Sequence, residues 1–317
     1  MIFGSGPRVL ITGASGLLGS NLLFLRPTSW NVVALTNRHS VRRMLAGVEI
    51  VQADLTRQRV EDVLKSIGPL DAIVQCIAHT NVDGCEQEPD HAKALNTDIA
   101  TQIHAYAQDH GVHLVHISTD HVFDGLRGNY QETDEAHPLN IYAKTKLAAE
   151  KHILQSGIGK NVIIRTNFFG YNMQEKQDLA GWMYEALSKN KPISLFTDVI
   201  VSPLLVNALV SVIIEIVSKG LTGLLHIAAS DACSKYAFGL MLANAFSFNT
   251  ELITPVSIDD SDLQVLRPKN MSLNTDRAQS LLTTHLPTVQ ESLEWYRQLR
   301  IAGYQDAIRA LCFPLTL

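Results

Sequence analysis

Short runs of aliphatic and β-branched residues alternate with longer amphipathic stretches through the first half of the chain. The runs predict strands at Arg8 to Thr12, Asn31 to Thr36, Val48 to Gln52, Asp71 to Ile77, Val112 to Ser118 and Asn161 to Thr166. Between them the spacing predicts helices, notably Gly16 to Leu25, Asp90 to Asp109 and Asn140 to Leu154. Most of the strand segments are apolar on both faces instead of alternating. That pattern is expected of a parallel sheet covered by helices on each side, so the class is α/β and doubly wound.

After Thr166 the rhythm loosens. Turn-rich stretches such as Gly170-Tyr171-Asn172 and Arg267-Pro268-Lys269-Asn270 separate helical patterns near residues 178–190, 204–218, 234–247 and 288–300. The expected division is a dinucleotide-binding domain over residues 1–167, completed by a segment near 200–228, with residues 168–317 forming mainly a smaller C-terminal substrate-binding domain. Ligands of open α/β sheets bind at the carboxyl ends of the strands, where this second part would sit. No internal repeat or low-complexity linker separates the two, so they are expected to share a tight interface.

Composition narrows the partners. The chain has 317 residues, 46% hydrophobic and 18% charged, with a net charge of -5. It is therefore expected to be compact, with no general attraction to nucleic acid or to an anionic membrane. The longest apolar candidate, Leu204 to Val217, is broken by Asn207, Ser211 and Glu215, so no membrane span is expected. The first residues lack the order of a secretory leader, and the scattered Cys76, Cys85, Cys233 and Cys312 read as reduced thiols; the expected location is cytoplasmic. His110, His113 and His116 recur every three residues, but on a strand His113 and His116 face opposite ways. No metal is expected.

Gly13-Ala14-Ser15-Gly16-Leu17-Leu18-Gly19 follows the first strand and opens a helix, the context that makes a glycine series a Rossmann-type cofactor seat. Gly13 permits the turn, Gly16 admits a pyrophosphate and Gly19 lets helix and strand pack, while the helix N-terminus attracts the anion. At the end of the second strand stands Thr36-Asn37-Arg38-His39, with Arg42 and Arg43 nearby and no carboxylate for a ribose 2′-hydroxyl. Arg38 suits a 2′-phosphate, so NADPH is favoured with NADH as the other option. Asp54, followed by Leu55, is placed to reach the adenine or else to form a turn.

Tyr142 and Lys146 lie four residues apart and share one face of a helix. A lysine ammonium there favours the ionised phenol and lowers a pKa that starts near about 10. Such a phenol can protonate a carbonyl oxygen while hydride reaches the carbon. Thr119, in Ser118-Thr119-Asp120-His121-Val122-Phe123-Asp124-Gly125 at a strand end, offers a hydroxyl to the same oxygen.

With these pieces the chain resembles the extended short-chain dehydrogenase/reductases, and within them the dTDP-4-dehydrorhamnose reductase group. The resemblance rests on the glycine series, Ala78-His79-Thr80-Asn81-Val82-Asp83, the Ser118 to Gly125 segment, Tyr142-Ala143-Lys144-Thr145-Lys146, Arg165-Thr166-Asn167-Phe168 and Arg267-Pro268. It implies Thr119, Tyr142 and Lys146 as catalytic residues. It implies cofactor contacts at Gly13, Ser15, Gly16, Leu17, Leu18, Gly19, Asn37, Arg38, Asp54, Leu55, Cys76, Ala78, Thr80, Asn96, Ser118 and Thr166, beside Tyr142 and Lys146. Val82, Thr119, Asp120, His121, Asn167, Phe168 and Arg267 would meet the substrate, and Arg165 would lie along the same pocket. The implied activity is NADPH-dependent reduction of a keto group, at the fourth carbon of a nucleoside-diphosphate 6-deoxyhexose; a homodimer is one open assembly.

The chain departs from that pattern at His121, where similar proteins carry Tyr, at Phe168, where they carry Trp, and at Val201-Ser202-Pro203-Leu204, where they carry Gly-x-Pro-Thr. His121 also replaces the Glu of related dehydratases, which removes the base for elimination. Two alternatives stay open. One is a sugar-nucleotide epimerase using the same triad; the other is a non-catalytic regulator resembling the regulatory subunit of S-adenosylmethionine synthetase.

Overall fold

The computed structural model describes residues 6–41, 45–174 and 178–313. Arg42 and Arg43 lie outside them. The central sheet has seven strands, β1 (Arg8–Thr12), β2 (Asn31–Thr36), β3 (Val48–Gln52), β4 (Ala72–Gln75), β5 (His113–Ile117), β6 (Asn161–Arg165) and β7 (Gly223–His226). Their spatial order is β7-β6-β5-β4-β1-β2-β3, and every neighbouring pair is parallel. The direction of winding reverses between β1 and β4, so the crevice that admits ligands opens above those two strands.

Alternating residues of each strand feed two apolar layers. Val9 and Ile11 of β1 pack with helices α1 (Leu17–Leu25) and α5 (Val206–Lys219), whereas Leu10 packs with α2 (Val60–Ile67), α3 (Ile99–His110) and α4 (Ile141–Gln155). Burial on both faces explains why these strands read as unbroken apolar runs.

Two expected elements come out differently, for local reasons. The strand expected to reach Ile77 stops at Gln75, because the Cys76 backbone amide turns to the side-chain Oγ1 of Thr12 instead of a backbone carbonyl of β1, and the Gln75 side-chain amide donates to Ile77 O. The helix expected over Asp90 to Asp109 is instead a short helix, Pro89–Lys93, a π turn, Ala94–Asp98, and then α3. The wide turn carries Asn96 inward, where it accepts from the His79 amide and donates to His79 O and Thr145 Oγ1.

The later segments build a second layer from helices Leu179–Ser188, Lys235–Phe246 and Val289–Ile301 and a parallel strand pair, Ile193–Phe196 with Ile253–Val256. Its aromatic centre includes Tyr171 stacked on Tyr296 at 4.2 Å. This layer is fastened to α1: Asn21 donates to Tyr171 O and accepts from the Tyr304 hydroxyl, each at 2.8 Å. Among the described residues no helix is long and apolar enough to cross a membrane, and no group of three His, Cys, Asp or Glu side chains is placed to hold a metal ion.

Candidate active site

The glycine turn closes on itself. Gly13 has φ of +63°, and Gly16 N donates back to Gly13 O at 2.9 Å. A Cβ at Gly19 would stand 2.3 Å from Gly13 O and 2.8 Å from Ala14 Cα, so only glycine lets α1 start this close to the strand. Gly16 is the N-cap of α1 and no side chain caps that end.

Above the turn lies a cleft of about 580 Å³. The glycine residues Gly13, Gly16 and Gly19 with Leu17 and Leu18 form one wall; Thr119, Tyr142 and Lys146 stand on the other. Cys76, Ala78, Thr80, Ser118 and Thr166 line it too, as do Val82, Asp120, His121, Asn167 and Phe168. A second hollow of about 220 Å³ continues from it past Gly13, Gly16 and Cys76 to Ser15, Asn37, Asp54 and Leu55. Two connected lobes straddling the switch point, with side chains excluded at Gly19, fit a dinucleotide.

Three expected residues lie elsewhere. Asn96 is fully buried and braces the His79 backbone. Arg165 is buried and paired with Glu150. Arg267 donates to Asp83 Oδ2 at 2.7 Å and to Val265 O at 3.0 Å, so its charge is spent within the protein. Arg38 stays exposed beyond the second hollow, near enough to Asp54 to help hold that carboxyl down; the larger cause is the pair of Thr56 hydrogen bonds.

Helix α4 sets the catalytic pair. Asn140 caps it, accepting from Ala143 N at 3.0 Å, while its own amide donates to Leu266 O. Tyr142 and Lys146 then stand one turn apart. Thr119 follows β5, donates to Asp120 Oδ1 at 3.1 Å and accepts from His121 N at 3.2 Å. Asn167 donates to the other Asp120 oxygen at 2.7 Å, which fixes that carboxylate behind Thr119. The His121 ring meets Tyr142 edge to face at 5.7 Å.

The electrostatics correct one expectation. Burial pushes the Tyr142 phenol well above its ordinary value, and the polar contact with the Thr119 side chain only partly offsets this. Lys146 does not lower it here. Its ammonium donates to Ile117 O at 2.6 Å, and burial brings its own pKa down to about 8 against the pull of Glu150. For Lys146 desolvation outweighs the neighbouring Glu150 charge, whereas for Tyr142 the nearby Asp120 charge adds to it. His121 is likewise lowered by burial, with Asp120 opposing.

Sequence reasoning missed Gln174 and Asp178. Gln174 donates across the glycine turn to Ser15 O at 2.7 Å, and Asp178 lines the outer cleft while accepting from Gly170 N and Gly181 N. Burial raises the Asp178 carboxyl to about 6. Nothing local in the sequence marks either residue, since Gln174 reaches Ser15 from 159 positions away.

Residues 7–299 match the RmlD substrate binding domain family. The chain belongs to that family. A hypothetical dTDP-4-dehydrorhamnose reductase from Sulfolobus tokodaii is 32% identical, with a TM-score of 0.77 over 89% of this chain and 97% of its own. The dTDP-4-dehydrorhamnose reductase of Bacillus anthracis strain Ames, solved in complex with NADP, is 27% identical with a TM-score of 0.78 over 92% and 98%. Methionine adenosyltransferase 2 subunit beta of Bos taurus is 28% identical over 86% of this chain and 82% of its own length. As a member of this extended short-chain dehydrogenase/reductase family, the chain is an NAD(P)-dependent oxidoreductase with the Rossmann-type fold described above.

Proposed function

We propose that the protein reduces the keto group, at the fourth carbon, of a nucleoside-diphosphate 6-deoxyhexose with NADPH. The observation that carries this reading is the single cleft that joins the glycine turn to Thr119, Tyr142 and Lys146. Ser15, Asn37, Asp54 and Leu55 would hold the adenosine end, and the α1 N-terminus the pyrophosphate. Arg38, with no carboxylate beside it on the end of β2, supports a 2′-phosphate. A nicotinamide seated there supplies hydride.

The protein's own residues handle the oxygen. Thr119 and Tyr142 hold the carbonyl, and the Tyr142 proton passes to the oxygen as negative charge develops on it. Lys146, one turn along α4 and with its own pKa brought down to about 8, can return a proton to the phenolate that remains. Val82, His121, Asn167 and Phe168 bound the space left for the sugar. His121 and Phe168 set its shape in this chain.

Tyr142→Phe is expected to lower turnover of a keto-sugar nucleotide at least about 100-fold while leaving NADPH affinity within about twofold. Equal rates for the two proteins in an NADPH-consumption assay would sink the assignment. A regulatory reading is favoured by the likeness to the beta subunit. It would be upheld by NADPH binding without turnover, together with a stable complex with a methionine adenosyltransferase.

A further inference from the structure

Building on the reductase reading, we infer that His116 and His104 carry protons from solvent to Lys146 along a water-bearing path buried between the sheet and helices α3 and α4. Four buried atoms in this layer lack a protein partner: Gln75 Oε1, both ring nitrogens of His116, and His104 Nδ1. Gln75 and His116 are register partners on β4 and β5. Alternation along β5 puts His116 on the face of Leu114, which packs under α3 and α4. All three side chains are at most 1% exposed. Buried polar atoms are ordinarily paired, and a cluster of orphans in one layer is a place for ordered water.

The ends of this layer touch the right groups. At the inner end, Lys146 Nζ bonds the carbonyl of Ile117, the residue next to His116. At the outer end, His104 Nε2 lies 3.2 Å from Asn161 Nδ2 and 3.4 Å from Ser156 Oγ, and the exposed His152 ring packs edge-on at 5.6 Å. With Asn161 donating to Nε2, the His104 proton sits on Nδ1, the atom that faces no protein acceptor. Burial lowers both rings, and the Lys146 charge lowers His116 further, so each is neutral at neutral pH. A neutral imidazole passes a proton by accepting on one nitrogen and releasing from the other.

Each turnover needs one solvent proton. The hydride electron pair forms the new C–H bond, the Tyr142 proton forms the O–H bond of the alcohol, and Lys146 returns a proton to the phenolate. A solvent proton arriving beside Ser156 takes the place of the Asn161 amide at His104 Nε2, the Nδ1 proton leaves into water, and His116 accepts on one nitrogen and releases from the other to restore the ammonium.

The test compares the full chain with His116→Leu and His104→Leu, using a keto-sugar nucleotide with NADPH or NADPH deuterated at the transferred hydride, in H2O and D2O. Each variant is expected to lose about tenfold in kcat with KM for NADPH unchanged. The solvent isotope effect should grow, the hydride isotope effect should shrink, and added imidazole should restore part of the rate. Loss of kcat with an undiminished hydride isotope effect and no rescue would show a structural role and overturn the relay. So would unchanged rates and isotope effects. If His116→Leu does not fold, His104→Leu decides on the same readouts. A wild-type protein without turnover overturns the reductase reading and the relay together, whereas wild-type turnover with unaffected variants overturns the relay alone.

Discussion

At the scale of single residues, Lys146 shows how chemistry is set against stability. Its folded pKa, about 8, lies below the 10.5 of free lysine, so the folded chain holds this proton less tightly than the unfolded one. The cost of burying the charge is fully present below pH 8 and is relieved as pH rises from about 8 toward 10.5. Lys146→Met is therefore expected to be more stable than wild type at pH 7, by about 1–3 kcal/mol, with the gap closing near pH 10. Urea unfolding at both pH values checks this, and identical midpoints at pH 7 would contradict it. The lysine itself was legible in the sequence because its tie to Tyr142 is a matter of helix spacing. Its bond to Ile117 O was not, because that contact depends on how α4 lies against β5.

Elements were legible where one segment decides its own state. The six apolar runs of the first half gave strands within two residues of their observed ends, since burial on both faces leaves its mark in composition. The π turn at Ala94–Asp98 left no such mark, because its cause is the tertiary bonding of Asn96 to His79 and Thr145. Arg165 is a related case, read from the sequence as a pocket residue. On β6 it instead donates to both Glu150 oxygens of α4 at 2.7–3.1 Å, with its guanidinium 5.0 Å from the Phe123 ring. Glu150→Leu alone should cost about 3–5 kcal/mol because it strands a buried cation, while adding Arg165→Leu should recover much of the loss. Chemical denaturation of the two variants measures both effects; a single variant as stable as wild type would remove the pair from this role.

For the whole molecule, the two parts share one core. Val9 and Ile11 of β1 belong to the same apolar cluster as Ile193, Leu293 and Tyr296. Unfolding is therefore expected as one transition, with Trp30 fluorescence in the first part and Trp182 and Trp295 fluorescence in the second following the same curve as far-UV circular dichroism. NADPH at 100 times its Kd should move that single curve by about 2.7 kcal/mol. Separate transitions, or a shift confined to the Trp30 signal, would show that the halves fold apart. Their union was only partly legible: the absence of a linker suggested a tight interface, but the contacts themselves join residues far apart in the sequence.

Asn21 sits midway along the helix that begins at the glycine turn, and it is tied to Tyr171 and Tyr304 at once. Its position leaves little freedom for the two lobes to swing apart like jaws. Any rotation of the second layer against that helix has to break both bonds at once, so the glycine seat at its head and the tyrosines at its flank are expected to travel as one body.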